Sequence, residues 1–206
     1  LAVAFGLKAQ DQKKIEIEYS GFLTFNEAEY PGAKILTRDD SQQIHIVHES
    51  INMWCDKAYY YGKENFIEAY GHVKLIQGDT INMNSKYIEY SGITEFAFAS
   101  GDVVMKDQNS TISSDTLYFD RAKEQAYYRS GGNVVKDSSG TITSMIGRYY
   151  MNLKKYQFVE DKRFVDKYTK GELSGITWIP EINRLAVLEK GTCVLKMYDN
   201  NFLLRG

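Results

Sequence analysis

The chain has 206 residues, enough for one large domain or two small ones, and its hydrophobic (43%) and charged (25%) fractions are those of an ordinary soluble protein. Its net charge of -2 argues against a nucleic-acid binder held by phosphate contacts, which needs a basic excess or stripe. Two cysteines, Cys55 and Cys193, exclude a disulfide scaffold and a cysteine zinc site, and nothing in the repeat described below supports a bridge between them.

The chain opens on a short, mostly apolar stretch, Leu1 to Ala9, interrupted only by Lys8, before it turns polar at Gln10 and Asp11. That pattern reads as the tail of a secretory signal peptide, with an ordinary apolar first strand as the plain alternative. Residues 1–13 are therefore set apart as a signal-peptide remnant or flexible N-terminus. No later stretch reaches the ~20 apolar residues of a membrane span, so the expectation is an exported, soluble protein.

From residue 14 onward the chain repeats. The segments beginning at Ile51, Ile81, Ile112 and Ile142 align, with spacings of 30, 31 and 30 residues by subtraction. One more diverged copy precedes them and another follows, near residue 169. About six units of this length predict stacked supersecondary elements in a single domain, 14–206. Each unit reads as an alternating strand, a polar turn, and a second strand interrupted by glycine at Gly71, Gly101 or Gly131. Glycine inside a strand predicts a sharp bend, and a small residue (Cys55, Ser85, Ser114, Ser144) sits at the matching depth of each first strand. Sixteen tyrosines, ten phenylalanines and only two prolines fit long, uninterrupted ladders. Residues 121–126 have helical propensity but stand where every other unit turns, so a turn is expected there. Residues 26–32, an insertion in the first unit, have room for one helical turn.

Hairpins bent at one level and stacked in register make an all-β, folded sheet, V-shaped in section. The period of two assigns its faces. Ile51, Met53, Ala58, Tyr60, Ile67, Ala69, Val73 and Leu75 share the inner face in the first aligned unit. Ile81, Met83, Ile88, Tyr90, Ala97, Ala99, Val103 and Met105 share it in the second, and Ile112, Leu117, Phe119 and Val134 in the third. Phe96 and Phe98 fall outside, and the fourth unit can slip by one residue at Gly147.

The ordered series of fragments Met53-Trp-Cys-Asp-Lys-Ala-Tyr-Tyr-Tyr61, Glu68-Ala-Tyr-Gly-His-Val73, Gln77-Gly-Asp-Thr-Ile81 and Ile142-Thr-Ser-Met-Ile-Gly-Arg-Tyr-Tyr150 resembles the OstA-like, or LptA-like, proteins of lipopolysaccharide export, the Bacteroidetes-type branch above all. The resemblance runs from about residue 15 to 166. It implies an antiparallel β-jelly-roll with open edges, in the periplasm. Such a protein passes lipopolysaccharide to the outer membrane with its lipid A acyl chains in the groove. The resemblance also implies end-to-end joining through edge strands, either to other lipopolysaccharide-transport jelly-rolls or head to tail with further copies. It implies no cofactor and no catalytic residue. Groove-lining positions carry over to Ile51, Met53, Ile81, Met83, Ile88 and Tyr90. Ile67, Val73, Leu75, Val103, Met105, Ile112, Leu117 and Phe119 join them by periodicity alone. Gly147, where the third unit has Leu117, departs from the pattern.

The residues alone leave an open groove and a closed dry core evenly matched, because such stripes are commonly core; the resemblance favours the groove. A structural or adhesive repeat protein is the alternative function, and a β-helix enzyme acting on polysaccharide is a third, signalled by parallel ladders. His45, His48 and His72 are read as solvated or bend-associated rather than metal ligands, and His45 and His48 should face opposite ways. A basic run from Arg148 to Lys170 is read as a solvated face.

Overall fold

Alternation of apolar and polar residues produces extended chain almost throughout. The computed structural model describes residues 13–108, 110–136 and 140–159, and beyond them the backbone of strands at 162–166, 170–179, 184–189, 195–199 and 204–205; side-chain surroundings are described for 13–108, 110–136 and 141–158. The segment assigned to a leader (apart from Lys13), Cys193 and the basic side chains from Lys162 onward lie outside these.

The described residues form one hydrogen-bonded network, antiparallel in every ladder. Its strands are β1 (Glu16–Tyr19), β2 (Phe22–Thr24), β3 (Ala33–Thr37), β4 (Ile44–His48), β5 (Ile51–Cys55), β6 (Lys57–Tyr61), β7 (Phe66–Gln77), β8 (Ile81–Ser91), β9 (Phe96–Lys106), β10 (Ser110–Asp120), β11 (Gln125–Tyr128), β12 (Gly132–Lys136), β13 (Gly140–Ser144), β14 (Ile146–Tyr150) and β15 (Lys155–Val159). Beyond them come β16 (Lys162–Asp166), β17 (Lys170–Ile179), β18 (Arg184–Glu189), β19 (Leu195–Asp199) and β20 (Leu204–Arg205). Antiparallel pairing in every ladder of the described residues means that this fold is not a parallel β-helix.

Four long strands, β7 to β10, pair with one another along both halves. Their outer neighbours pair with one half only. β5 takes the C-terminal half of β7 and β6 its N-terminal half. β12 and β11 divide β10 in the same way, followed by β13 and β14. Two layers result, joined through the long strands. Register breaks at Tyr70/Val73, Asn84/Tyr87 and Ser114/Thr116 mark the bend. On the return strands it is made by consecutive left-handed residues, Gly71 (φ 74°) with His72 (φ 43°) and Gly101 (φ 78°) with Asp102 (φ 53°). On the outgoing strands the small residues serve it: Ser85 Oγ donates to the Tyr87 carbonyl (3.1 Å) and Ser144 Oγ to that of Ile146 (3.1 Å), satisfying backbone freed by the bulge.

One hydrogen bond shows that the layers face each other. His48 lies in the row Ile51, Gln77, Ile81, at the start of β8, whereas Tyr90 lies near its end. A flat strand would separate the two ends by roughly 30 Å. His48 Nδ1 is 2.7 Å from the Tyr90 hydroxyl. The sheet is therefore folded over, and the inner faces of both layers merge into one apolar cluster running from Ile15 to Phe158.

The turns between outgoing and return strands each put a left-handed residue last in a four-residue loop: Asn65 (φ 48°), Glu95 (φ 55°), Glu124 (φ 51°) and Lys154 (φ 48°). The recurrence is the repeat in its most local form. Residues 121–124 turn as the repeat demands, and the insertion at 26–32 holds a single helical turn, closed by Tyr30 N donating to the Asn26 carbonyl (2.8 Å). Among the described residues β1 pairs only with β4 and β2 only with β3, and β2 leaves Phe22 and Leu23 exposed.

Candidate functional site

All fourteen candidate groove residues point into the space between the layers, and each is at most 5% exposed. The space is filled by the protein's own side chains, at roughly 1.5–3 kcal/mol for each large apolar side chain buried. Met53, Leu75, Met83 and Met105 form one cross-strand row of it. Methionine is flexible and adapts to irregular neighbours.

The closed edge of the V is made by the bends. The open edge is closed by polar contacts. At the N-terminal end, residues 13–15 lie across the mouth: Asn65 Nδ2 donates to the Lys13 carbonyl (3.1 Å), the Ile15 amide donates to Asn65 Oδ1 (2.8 Å), and the Tyr60 hydroxyl donates to the Ile15 carbonyl (3.0 Å). His48 Nε2 donates to the Lys13 carbonyl (3.1 Å), which in the neutral ring leaves Nδ1 to accept from Tyr90. Next along the mouth, Arg121 from the β10–β11 turn meets Glu49 of the β4–β5 turn (2.6 Å) and Glu95 of the β8–β9 turn (3.2 Å). Burial works against the Arg121 charge, but the two glutamates outweigh it and hold its pKa above the ordinary value. Arg121 in turn holds the Glu49 carboxyl below its ordinary range.

Beyond Arg121 the mouth widens into a cleft of about 480 Å³, between Gln77, Thr80 and Ile81 on one layer and Tyr149, Met151 and Asn152 on the other. Ile81 is the one candidate groove residue on its wall. Tyr149 and Tyr156 stack at 4.3 Å beneath it, and the Ser110 and Tyr156 hydroxyls join the layers there. Burial, reinforced by Asp107, pushes the Tyr149 phenol up, and burial does the same to Tyr156, so both stay neutral.

His48 corrects the expectation of a solvated histidine: it is buried at the mouth, on the same strand face as Ile44 and Ile46. His45 faces the other way, stacked on Trp54 at 4.8 Å, and His72 is exposed at a bend beside Asp56 (2.6 Å). Among the described residues no group of three or more His, Cys, Asp or Glu is placed to hold a metal. Phe96 and Phe98 do point outward, and the outer face of their layer explains them. They pack on Tyr118, which stacks on Tyr127 at 4.9 Å. Arg148, from the basic run, lies over Tyr127.

No helix among the described residues is long and apolar enough to cross a membrane. Among curated proteins no sequence matches the chain significantly. Among solved structures, LptH from Pseudomonas aeruginosa, described as the LptA homologous periplasmic component of the lipopolysaccharide transport device, is similar at 12% identity. The match covers 53% of this chain and 82% of that one, with a TM-score of 0.49. The sequence matches the family of OstA-like proteins over residues 12–170, most of its length, and the chain belongs to that family.

Proposed function

We propose that this chain is a non-enzymatic periplasmic carrier or bridge. It holds lipopolysaccharide by its lipid A acyl chains between the two layers and hands it on towards the outer membrane. Membership of the OstA-like family supports the reading. The observation that carries it is the continuous apolar interior, whose open side is shut by side-chain contacts and by residues 13–15 rather than by covalent turns. Such a mouth can part without breaking a ladder. Each acyl methylene admitted contributes about 0.8 kcal/mol of burial. The edges left by β1 and β2 offer unpaired backbone to a neighbouring jelly-roll, including a further copy. No cofactor takes part.

A second reading has one observation behind it. The interior is as tightly closed as any core, which suits a structural or adhesive repeat protein. Protein purified from cells that make lipopolysaccharide, washed and extracted, separates the two. Close to one lipid A-containing molecule per chain is the expected result. Folded protein that carries none would overturn the carrier and leave the structural repeat.

A further inference from the structure

The mouth is latched level by level, and its first level is built differently from the next. Tyr60, Ile67 and Tyr90 lie in one cross-strand row along it. Tyr90 reaches directly to His48 on the other layer, and Glu95, last in its turn, is tied through Arg121 to Glu49 there. Tyr60 and Asn65 hold the matching places one unit earlier, and their side chains end on residues 13–15 instead. These residues stand outside every ladder, since β1 begins at Glu16, opposite Val47 of β4. They nevertheless bridge the layers. Glu16 anchors them to one, Asn65 and Tyr60 hold them from the other, and the Lys13 carbonyl takes a donor from each, Asn65 Nδ2 and His48 Nε2. Asn65 clamps their backbone as a neighbouring strand would, donating to a carbonyl and accepting from the amide two residues on. Ile15, 3% exposed, belongs to the buried cluster. Four side-chain hydrogen bonds thus do here what a ladder does elsewhere, and such a contact opens locally without any strand separating.

Resting on the carrier reading, we propose that residues 13–15 are a displaceable strap, an internal lock on the mouth. In place, the strap keeps the layers from parting at this end and occupies part of the interior with Ile15. It also touches both latches of the second level. The His48 ring that donates to Lys13 accepts from Tyr90, and Lys13 Nζ lies 3.9 Å from Glu49, the partner of Arg121. Displacing the strap therefore withdraws Ile15, frees His48 Nε2 and passes the release on to Tyr90 and then to the Glu49–Arg121 pair. The mouth opens from the strap inward, and the strap sets the rate at which the interior becomes accessible.

The test compares the full chain with Tyr60→Phe and Asn65→Asp, each of which removes one donor to the strap and keeps the size of the side chain. Exchange of the Ile15 amide, read by NMR, should quicken about five- to tenfold in each. Labelling of Cys55 in a Cys193→Ser background should quicken with it, and so should uptake of fluorescently labelled lipopolysaccharide from micelles. Two controls lie far along the stack. Tyr150→Phe removes a hydroxyl that donates to Gln157, and Gly147→Ala strains the packing on Tyr128; both should leave the Ile15 amide as it is. An Ile15 amide that responds as strongly to Gly147→Ala would overturn the strap, because it would then move only with the whole fold. Cys55 labelling that keeps its rate in both strap variants would overturn it too, by showing that the strap locks nothing. No uptake of lipid by any of these chains removes the carrier reading alone, since exchange and labelling need no lipid.

Discussion

Glu49 and Arg121, seventy-two positions apart by subtraction, meet at 2.6 Å across the open side of the sandwich and tie one layer to the other. Neither layer's backbone makes that connection. Replacing Arg121 by Met should lower the thermal midpoint and loosen the mouth, read as faster amide exchange in β4 and β5. The pH dependence follows from the sign of the Glu49 shift. Its folded pKa is depressed, chiefly by the Arg121 hydrogen bond. The stability it contributes is full above the ordinary carboxylate range and is lost as pH falls through the folded value. Arg121→Met should therefore flatten the acid limb of the stability curve. An unchanged acid limb would show that the bridge adds nothing.

Tyr128 stands directly opposite Gly147, and a Cβ built on Gly147 would collide with its ring. Gly147→Ala should cost about 1–3 kcal/mol by overpacking. Tyr128→Leu in the same chain should recover part of that loss, because the smaller side chain vacates the space. Denaturant melts of both variants and the double mutant measure the coupling, and simple additivity would contradict the packing described.

Asn65 does two things at once. It takes a left-handed φ of 48°, which asparagine tolerates, and its side chain holds both the Ile15 amide and the Lys13 carbonyl. Asn65→Gly keeps the backbone and removes the side chain, so a loss of about 1–3 kcal/mol measures the tie on residues 13–15. A neutral result would mean the segment is held by something else.

Burial pushes the Cys55 thiol up to about 12, so it carries almost no thiolate at neutral pH. In a Cys193→Ser background, a thiol reagent should label Cys55 only as fast as the layers part. Arg121→Met should speed that labelling. Rapid labelling of the unaltered chain would contradict the closed interior.

The interior was legible in the sequence because period two survives the bend. The return strands β7 and β9 carry their bulges at Gly71 and Gly101, so Ile67 and Val73 come out on one face although the register breaks between them. Alternation alone puts Phe96 and Phe98 outside, but nothing in a single strand shows that Tyr118 and Tyr127 wait beside them. The slip at Gly147 looked like a register fault, and it is a trade of volume: Tyr128, one strand away, fills the place of the missing side chain. Residues at the mouth were the least legible. His48 shared its alternation with Ile44 and Ile46, which signalled burial, but its partners, Lys13 and Tyr90, are 35 and 42 positions away. Arg121 sits in a turn, where charge ordinarily means solvent.

The most direct test of the carrier is a photoreactive amino acid placed at Ile81 or Met83, with Glu89 as the outward control, in cells making labelled lipopolysaccharide. Adducts at Ile81 and Met83 but not at Glu89 are the expected result. Protein that folds and is exported, yet crosslinks at neither inner position, would contradict the central claim.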